Sequence, residues 1–216
     1  EEQPVELHRR GTGFSGALDC LFFFAGNLDR ILNGTQDFPR IGSLDVRFET
    51  ENVEKVQRLH ALRLDSARIR AGDPVRLEIQ TRNRAGELVR HDLEIPLPKG
   101  AAGEEFSVLV ADADTLVSYE GYTRTNPTET LDELLTKLRQ FPSNGKIHVQ
   151  LIRPFRGLRL EGKNLENLPP SVLRLYSSSL QTPGDEFLNE SVVWEKSIPV
   201  PGVFSGSARI QFKTEP

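Results

Sequence analysis

Short runs in the middle of the chain alternate apolar and polar residues. Val75–Thr81, Leu88–Ile95 and Phe106–Val110 each place an apolar side chain at nearly every second position. Sequences typical of turns lie before the first two runs, at 71–74 and 84–87. A period of two predicts strands with one buried face, and short strands between regularly spaced turns are typical of a β-sandwich.

The N-terminal part of the chain carries a helical pattern. Between Leu18 and Leu32, apolar residues recur at intervals of three and four. This spacing predicts a helix over about residues 16–32. Ser15 directly precedes the pattern and is the predicted N-cap, which is a better interpretation than a nucleophilic serine because the rest of a nucleophile-elbow motif is missing.

Two more helices are predicted in the C-terminal half. Thr130 and Glu133 form a capping-box sequence ahead of a run of leucines, so a helix is expected over about residues 130–141. Two consecutive prolines open a further helical pattern, which predicts a helix over about residues 169–177.

The remaining strand signals are shorter. Leu44, Val46 and Phe48 alternate with charged residues and predict a strand, whereas Val56–Leu64 is compatible with a strand or a helix. Further strands are predicted at 5–10, 147–151, 158–160, 192–198 and 208–212. Exposed loops are predicted at 111–126 and 177–189.

Together these elements predict a mainly β chain with α+β elements. We expect an immunoglobulin- or fibronectin-like antiparallel β-sandwich with its core in residues 66–125, and a smaller α+β part in residues 126–216. Residues 1–65 are interpreted as a junction segment, a helix followed by strands, that packs on the sandwich. A separate domain in 1–65 stays an open alternative, although so few elements would make a poor core alone.

Composition narrows the classes of partner. The chain has 216 residues, 27 basic and 31 acidic side chains and a net charge of −4, so it has no bulk attraction for nucleic acid or anionic lipid. The basic cluster at 8–10 is interpreted as a solvated strand end. No apolar run reaches the ~18 residues of a membrane span, so no membrane insertion is expected. Cys20 is expected to be a buried thiol, and the absence of methionine indicates an excised or processed fragment.

The residues offer little catalytic or metal-binding chemistry. The four histidines, His8, His60, His91 and His148, share no metal-ligand spacing, and three of them alternate with apolar residues in predicted strands. Solvent-facing or hydrogen-bonded strand histidines are the better interpretation. The sequence therefore predicts no catalytic residue, no metal site and no cofactor.

One predicted loop has the composition of a contact surface. It contains Asp112, Asp114, Tyr119, Tyr122 and Arg124, and exposed tyrosine beside arginine is common in protein interfaces. The two aspartates also raise the hypothesis of a calcium site. A solvated loop is favoured over calcium because the glycine and the bidentate glutamate of a calcium loop are missing.

A series of short motifs carries a family resemblance. The motifs are Ile69–Val75, Leu93–Pro96, Phe106–Ala113, Thr130–Leu135, Lys146–Leu151, Asn167–Leu173 and Ser205–Ile210. In this order and spacing they resemble the C-terminal, non-peptidase region of large exported bacterial proteins related to the stage IV sporulation protein B (SpoIVB) serine peptidases. The resemblance covers about residues 10–213.

This resemblance implies a location and a role. The catalytic serine and histidine of the family lie upstream of this region, so none is assigned here, and a periplasmic or otherwise exported location is expected. The expected function is a non-catalytic accessory, protein-binding or scaffolding module, with its own peptidase domain or another envelope protein as partner. The alternatives are a fragment of a serine peptidase whose active site lies in a missing N-terminal domain, and a structural spacer. The oligomeric state stays open.

Overall fold

The computed structural model describes residues 4–13, 15–35, 39–66, 68–98, 100–120, 130–160, 163–165, 168–169, 171–172 and 186–215. Its helices within these ranges are α1 (Gly16–Asn33), α2 (Ala113–Glu120) and α3 (Leu131–Arg139). Its strands are β1 (Val56–Leu64), β2 (Ile69–Arg70), β3 (Val75–Asn83), β4 (Leu88–Ile95), β5 (Glu105–Ala111), β6 (Lys146–Leu160), β7 (Lys163–Leu165), β8 (Glu186–Pro199), β9 (Val203–Ser205) and β10 (Ala208–Glu215).

The strands form two sheets. The first has the order β4-β3-β1-β9, and the second has the order β2-β10-β5-β6-β7, with β8 also paired to β6. The mainly β character with α+β elements is therefore confirmed. Both sheets are mixed rather than purely antiparallel, since β9 runs parallel to β1 and β2 runs parallel to β10. Both parallel partners are strands of two or three residues, too short to leave a period-two pattern in the sequence.

One hydrophobic core joins the two sheets. Leu77, Ile79 and Ile95 from the first sheet lie in the same buried cluster as Val108 and Val149 from the second. Burying a side chain of this size stabilises the fold by about 1.5–3 kcal/mol. The sheets draw their strands from all three sequence segments, because β1 pairs with β3 and β5 pairs with both β6 and β10.

Helix α3 and its cap form as predicted. The Glu133 N–H donates to Thr130 Oγ1 at 3.3 Å, and the Thr130 N–H donates to Glu133 Oε2 at 3.0 Å. Leu134, Leu135 and Leu138 are buried in a second cluster, against apolar residues of the N-terminal segment and α1. The capping box and the helical spacing of the leucines thus specify helix α3 through residues in and next to the helix itself.

Helix α1 also forms as predicted, but Ser15 does not cap it with its side chain. Ser15 has φ −86° and ψ −7°, a helical conformation, whereas a capping side chain needs an extended one. Its hydroxyl donates instead to Asp19 Oδ2 at 3.3 Å.

Two of the predicted strands are absent. Residues 44–49 have the alternation of a strand, but they have no partner strand, and their backbone is irregular. Residues 5–10 are not a strand either, since side chains, rather than a neighbouring strand, hold their backbone. An alternating pattern reports only which residues fit a pleated surface, and a strand also needs a partner for its backbone groups.

Elsewhere the strands are longer than predicted. Runs 147–151 and 158–160 are one strand, β6, which passes Pro154 because its pairing with β8 is shifted between Pro154 and Gly157. The ambiguous segment Val56–Leu64 is strand β1, where a register shift between Leu59 and Ala61 interrupts the alternation.

The two predicted loops are also partly regular. The loop at 111–126 contains helix α2, and the loop at 177–189 contains the start of β8 at Glu186. The helix predicted over about residues 169–177 falls largely outside the described residues.

Candidate functional site

Helix α1 presents an apolar stripe to solvent. The side chains of Leu18, Leu21 and Phe22 are 52%, 53% and 71% exposed. Ala25 is exposed as well. The spacing i, i+3, i+4 and i+7 places these four residues on one face of the helix. We call this surface the α1 stripe; it is the most prominent apolar helical surface among the described residues.

The opposite face of α1 packs on the protein. Cys20 and Asn27 are buried there, and the ring of Phe23 meets that of Phe141 edge to face, with centroids 5.3 Å apart. The Asn27 side chain donates to the Phe23 carbonyl at 2.8 Å, which satisfies a buried polar group within the helix. Burial raises the pKa of the Cys20 thiol, as expected of an unreactive thiol.

Arg9 connects α1 to α2. Its two terminal nitrogens lie 2.9 and 3.0 Å from the carboxylate oxygens of Asp114, a bidentate pair. Its guanidinium carbon lies 5.2 Å from the ring centroid of Phe23, within the range of a cation–π interaction. The Cys20 thiol contacts the Arg9 carbonyl at 3.8 Å.

Arg10 connects the same segment to the sheets. Its N–H donates to Asn144 Oδ1 at 3.1 Å, and Asn144 Nδ2 donates to the Arg10 carbonyl at 2.7 Å. The Arg10 side chain donates to the carbonyls of Gly202 at 2.9 Å and Val200 at 3.4 Å. The interpretation of residues 8–10 as a solvated strand end is therefore wrong, because these residues form no strand and Arg9 and Arg10 make the contacts that hold α1 in place. Only the exposure of His8 agrees with that interpretation.

The predicted contact loop is divided among separate structural contacts. Asp112 Oδ1 accepts from the Thr115 N–H at 2.8 Å and caps α2, while Oδ2 accepts from the Gly206 N–H at 2.7 Å. Asp114 pairs with Arg9. Tyr122 and Arg124 lie outside the described residues. Within the described ranges, no group of three or more His, Cys, Asp or Glu side chains is placed to hold a metal ion.

Tyr119, the remaining residue of that prediction, belongs to a polar cluster on the second sheet. Its hydroxyl donates to Glu190, whose carboxylate also accepts from Arg209 at 2.6 and 3.1 Å. Arg209 also contacts the Ser107 hydroxyl at 2.6 Å. Burial and the adjacent Glu190 raise the pKa of Tyr119 to about 12, and the Arg209 hydrogen bond lowers the pKa of Glu190. The hydrogen bonds of this cluster fix α2 to the second sheet.

Two histidines have internal partners. His148 Nδ1 lies 3.1 Å from the Ser197 hydroxyl, and its Nε2 lies 2.9 Å from the Ser143 carbonyl. Since a carbonyl accepts only, Nε2 carries a proton, and in the neutral ring Nδ1 accepts from Ser197. Ser197 is directly opposite His148 in the β6–β8 ladder, so this is a cross-strand contact. His91 Nε2 lies 3.4 Å from the Thr81 hydroxyl, and burial lowers the pKa of His91.

Comparison with known proteins does not indicate a function for the chain. No family model, curated protein or solved structure matches the chain. No helix in the described part of the chain is long and apolar enough to cross a membrane. The α1 stripe, with the contacts that orient it, is therefore the candidate functional site on geometry alone.

Proposed function

We propose that this chain is a non-catalytic protein-binding or scaffolding module, and that α1 inserts its stripe into an apolar groove of a partner protein. The observation that carries the proposal is the simultaneous exposure of Leu18, Leu21 and Phe22 on a helix whose other face is packed. Anchors at i, i+3, i+4 and i+7 are the pattern by which grooves recognise helices.

Energetics support a contact role for the α1 stripe. Isolated exposed leucines are normal on protein surfaces, but contiguous apolar patches mark interaction sites. Full burial of a side chain of this size contributes about 1.5–3 kcal/mol. The three large side chains are 52%, 53% and 71% exposed, so each would contribute roughly half to two thirds of that on entering a groove. The contacts of Arg9, Arg10 and Phe23 fix the orientation of α1 before binding, which lowers the ordering cost of association.

Charge further defines the partner. Asp19 and Asp29 are exposed on α1, whereas its one basic residue, Arg30, is half-buried. A groove with an apolar floor and a basic rim would complement this surface, and basic rim residues would also speed association at low salt.

The resemblance to SpoIVB-related proteins supports an exported, periplasmic accessory role. In that role the partner is the peptidase domain of the same protein or another envelope protein. An immunoglobulin- or fibronectin-like sandwich is part of the same proposal, and the core shared by the two sheets supports it.

Capture with matched variants tests the proposal. The purified chain, the double variant Leu21→Asp/Phe22→Asp and the control Phe187→Asp are immobilised and exposed to an envelope extract. Phe187 is also an exposed aromatic residue, but it lies on β8. The proposal predicts that the wild type and the control retain the same protein and that the double variant loses it. Equal retention by all three chains contradicts the proposal.

A further inference from the structure

A second apolar surface lies apart from the α1 stripe. Leu44, Val46 and Phe48 are 64%, 53% and 62% exposed, and they alternate with charged residues along a backbone that forms no strand in the single chain. The charged residues between and after them are Asp45, Arg47 and Glu49. A segment with a strand pattern and an unpaired backbone is suited to adding to the edge of a sheet.

Strand β4 offers such an edge. It is the outermost strand of the first sheet, and its ladder within the described residues is with β3 on one side. Leu93 and Ile95 face the core, whereas Arg90 and Asp92 face away from it. Leu88 is exposed at the start of the strand. An edge strand of this length presents backbone groups that can pair with another chain.

We propose that two copies of this chain form a dimer by strand exchange, in which residues 44–49 of each copy pair antiparallel with β4 of the other. With Val46 opposite Leu93, the apolar side chains of the segment extend the core face of the sheet. The arrangement is reciprocal and closed, as a two-fold symmetric dimer requires.

Charge complementarity selects this register. Within the single chain Arg47 pairs with Glu49 at 3.1 Å and Arg90 pairs with Asp92 at 2.8 Å. The register sets these two pairs against each other with opposite signs, Arg47 opposite Asp92 and Glu49 opposite Arg90, on the outer face. Asp45 lies opposite Glu94, but Arg76 already neutralises Glu94 at 3.2 Å.

Other registers are less favourable. A shift of two residues in one direction sets Asp45 against Asp92 and Arg47 against Arg90, which repel. A shift of one residue turns the apolar side chains to solvent. Antiparallel pairing is chosen over parallel because its ladder is slightly more stable per residue.

The single chain leaves the segment unpaired. Residues 44–49 form no strand and join neither sheet in the described structure. A second copy is therefore the source of the added strand.

A charge-swap series measures the exchange. Sedimentation equilibrium from low to high micromolar concentration gives the dimer dissociation constant of the wild type, Arg47→Asp, Asp92→Arg and the double variant. Each single change places like charges opposite each other at two symmetric positions, so the constant rises roughly tenfold or more. The double variant restores the opposite-charge pair and returns the constant toward the wild-type value. Arg40→Asp, an exposed residue outside 44–49, is the control and leaves the constant unchanged.

The outcomes are decisive. A wild type that stays monomeric throughout, or a dimer that responds to Arg40→Asp as strongly as to Arg47→Asp, overturns the strand exchange. Circular dichroism of each variant confirms that the fold is intact. Because the series leaves Leu21 and Phe22 unchanged, its failure does not affect the function proposed for the α1 stripe.

Discussion

Asn144 and Arg10 exchange two hydrogen bonds across 134 residues of sequence: the Arg10 N–H donates to Asn144 Oδ1, and Asn144 Nδ2 donates to the Arg10 carbonyl. The amide side chain thus satisfies both backbone groups of Arg10, as a neighbouring strand would. Asn144 is buried, and it lies in the connection between α3 and β6. This contact fixes the N-terminal segment, and through it α1, to the rest of the protein.

Removal of the Asn144 amide should destabilise the protein. Asn144→Ala removes two hydrogen bonds to the part-buried backbone of Arg10, and each such bond contributes about 0.5–1.5 kcal/mol. Urea unfolding measures the change. Asn33→Ala, which removes an exposed hydrogen bond to Asp29, is the matched control and should change the unfolding free energy by less than about 0.5 kcal/mol. Equal effects of the two variants would show that the Arg10 contact contributes nothing.

The Arg9–Asp114 pair should couple only weakly despite its bidentate geometry. The Arg9 side chain is 15% exposed, but that of Asp114 is 70% exposed, so solvent screens the pair. A double-mutant cycle with Arg9→Gln and Asp114→Asn should give a coupling energy of about 1 kcal/mol or less. The single variant Arg9→Gln should cost more than Asp114→Asn, since it also loses the contact with Phe23. The reverse order would contradict the structure.

His91 should make stability depend on pH. Burial lowers its pKa in the folded state below the ordinary value of 6.5, so the unfolded chain binds the proton more readily. The greater proton binding by His91 in the unfolded chain therefore lowers the free energy of unfolding as the pH falls through 6.5 toward the pKa of His91 in the folded protein. His91→Gln should flatten that part of the curve of unfolding free energy against pH. An unchanged curve for His91→Gln would remove His91 as the cause.

Tyr119 should ionise above the ordinary pH range of a tyrosine. Burial and Glu190 raise its pKa to about 12, so ultraviolet absorbance should show a tyrosine titration step near that pH. Because its folded pKa is above the ordinary value of 10.0, its contribution to stability is complete below that pH and is lost as the pH rises toward 12. Tyr119→Phe should remove this high-pH step of the titration. Persistence of that step in the variant would assign it to another tyrosine.

The parts of the fold that could be predicted from the sequence are the helices and strands that are determined by residues close together in the chain. The capping box at Thr130 and the alternation in β3, β4 and β5 specify their elements within about ten residues. The bulge between Leu59 and Ala61 shows the limit, because the extra residue breaks the period that would have marked β1 as a strand.

The candidate functional site was harder to predict from the sequence than the fold. Helical periodicity predicts α1 but does not say which face is buried, and the exposure of Phe22 follows from contacts made elsewhere. Those contacts come from Arg9, Arg10 and Asn144, whose partners are distant in sequence. Composition selected Asp112 for a contact loop, but one of its carboxylate oxygens accepts from Gly206, which only the fold brings near.

The central claim is that the α1 stripe contacts a protein partner, and site-specific photo-crosslinking tests it most directly. A photoreactive residue replaces Phe22 in one chain and Phe187 in a control chain; both side chains are exposed. After irradiation in an envelope extract, mass spectrometry identifies the linked peptides. We predict that Phe22 yields one dominant adduct with an apolar, Lys- or Arg-flanked segment and that Phe187 yields none. Absence of an adduct at Phe22, or the same adducts at both positions, would contradict the account.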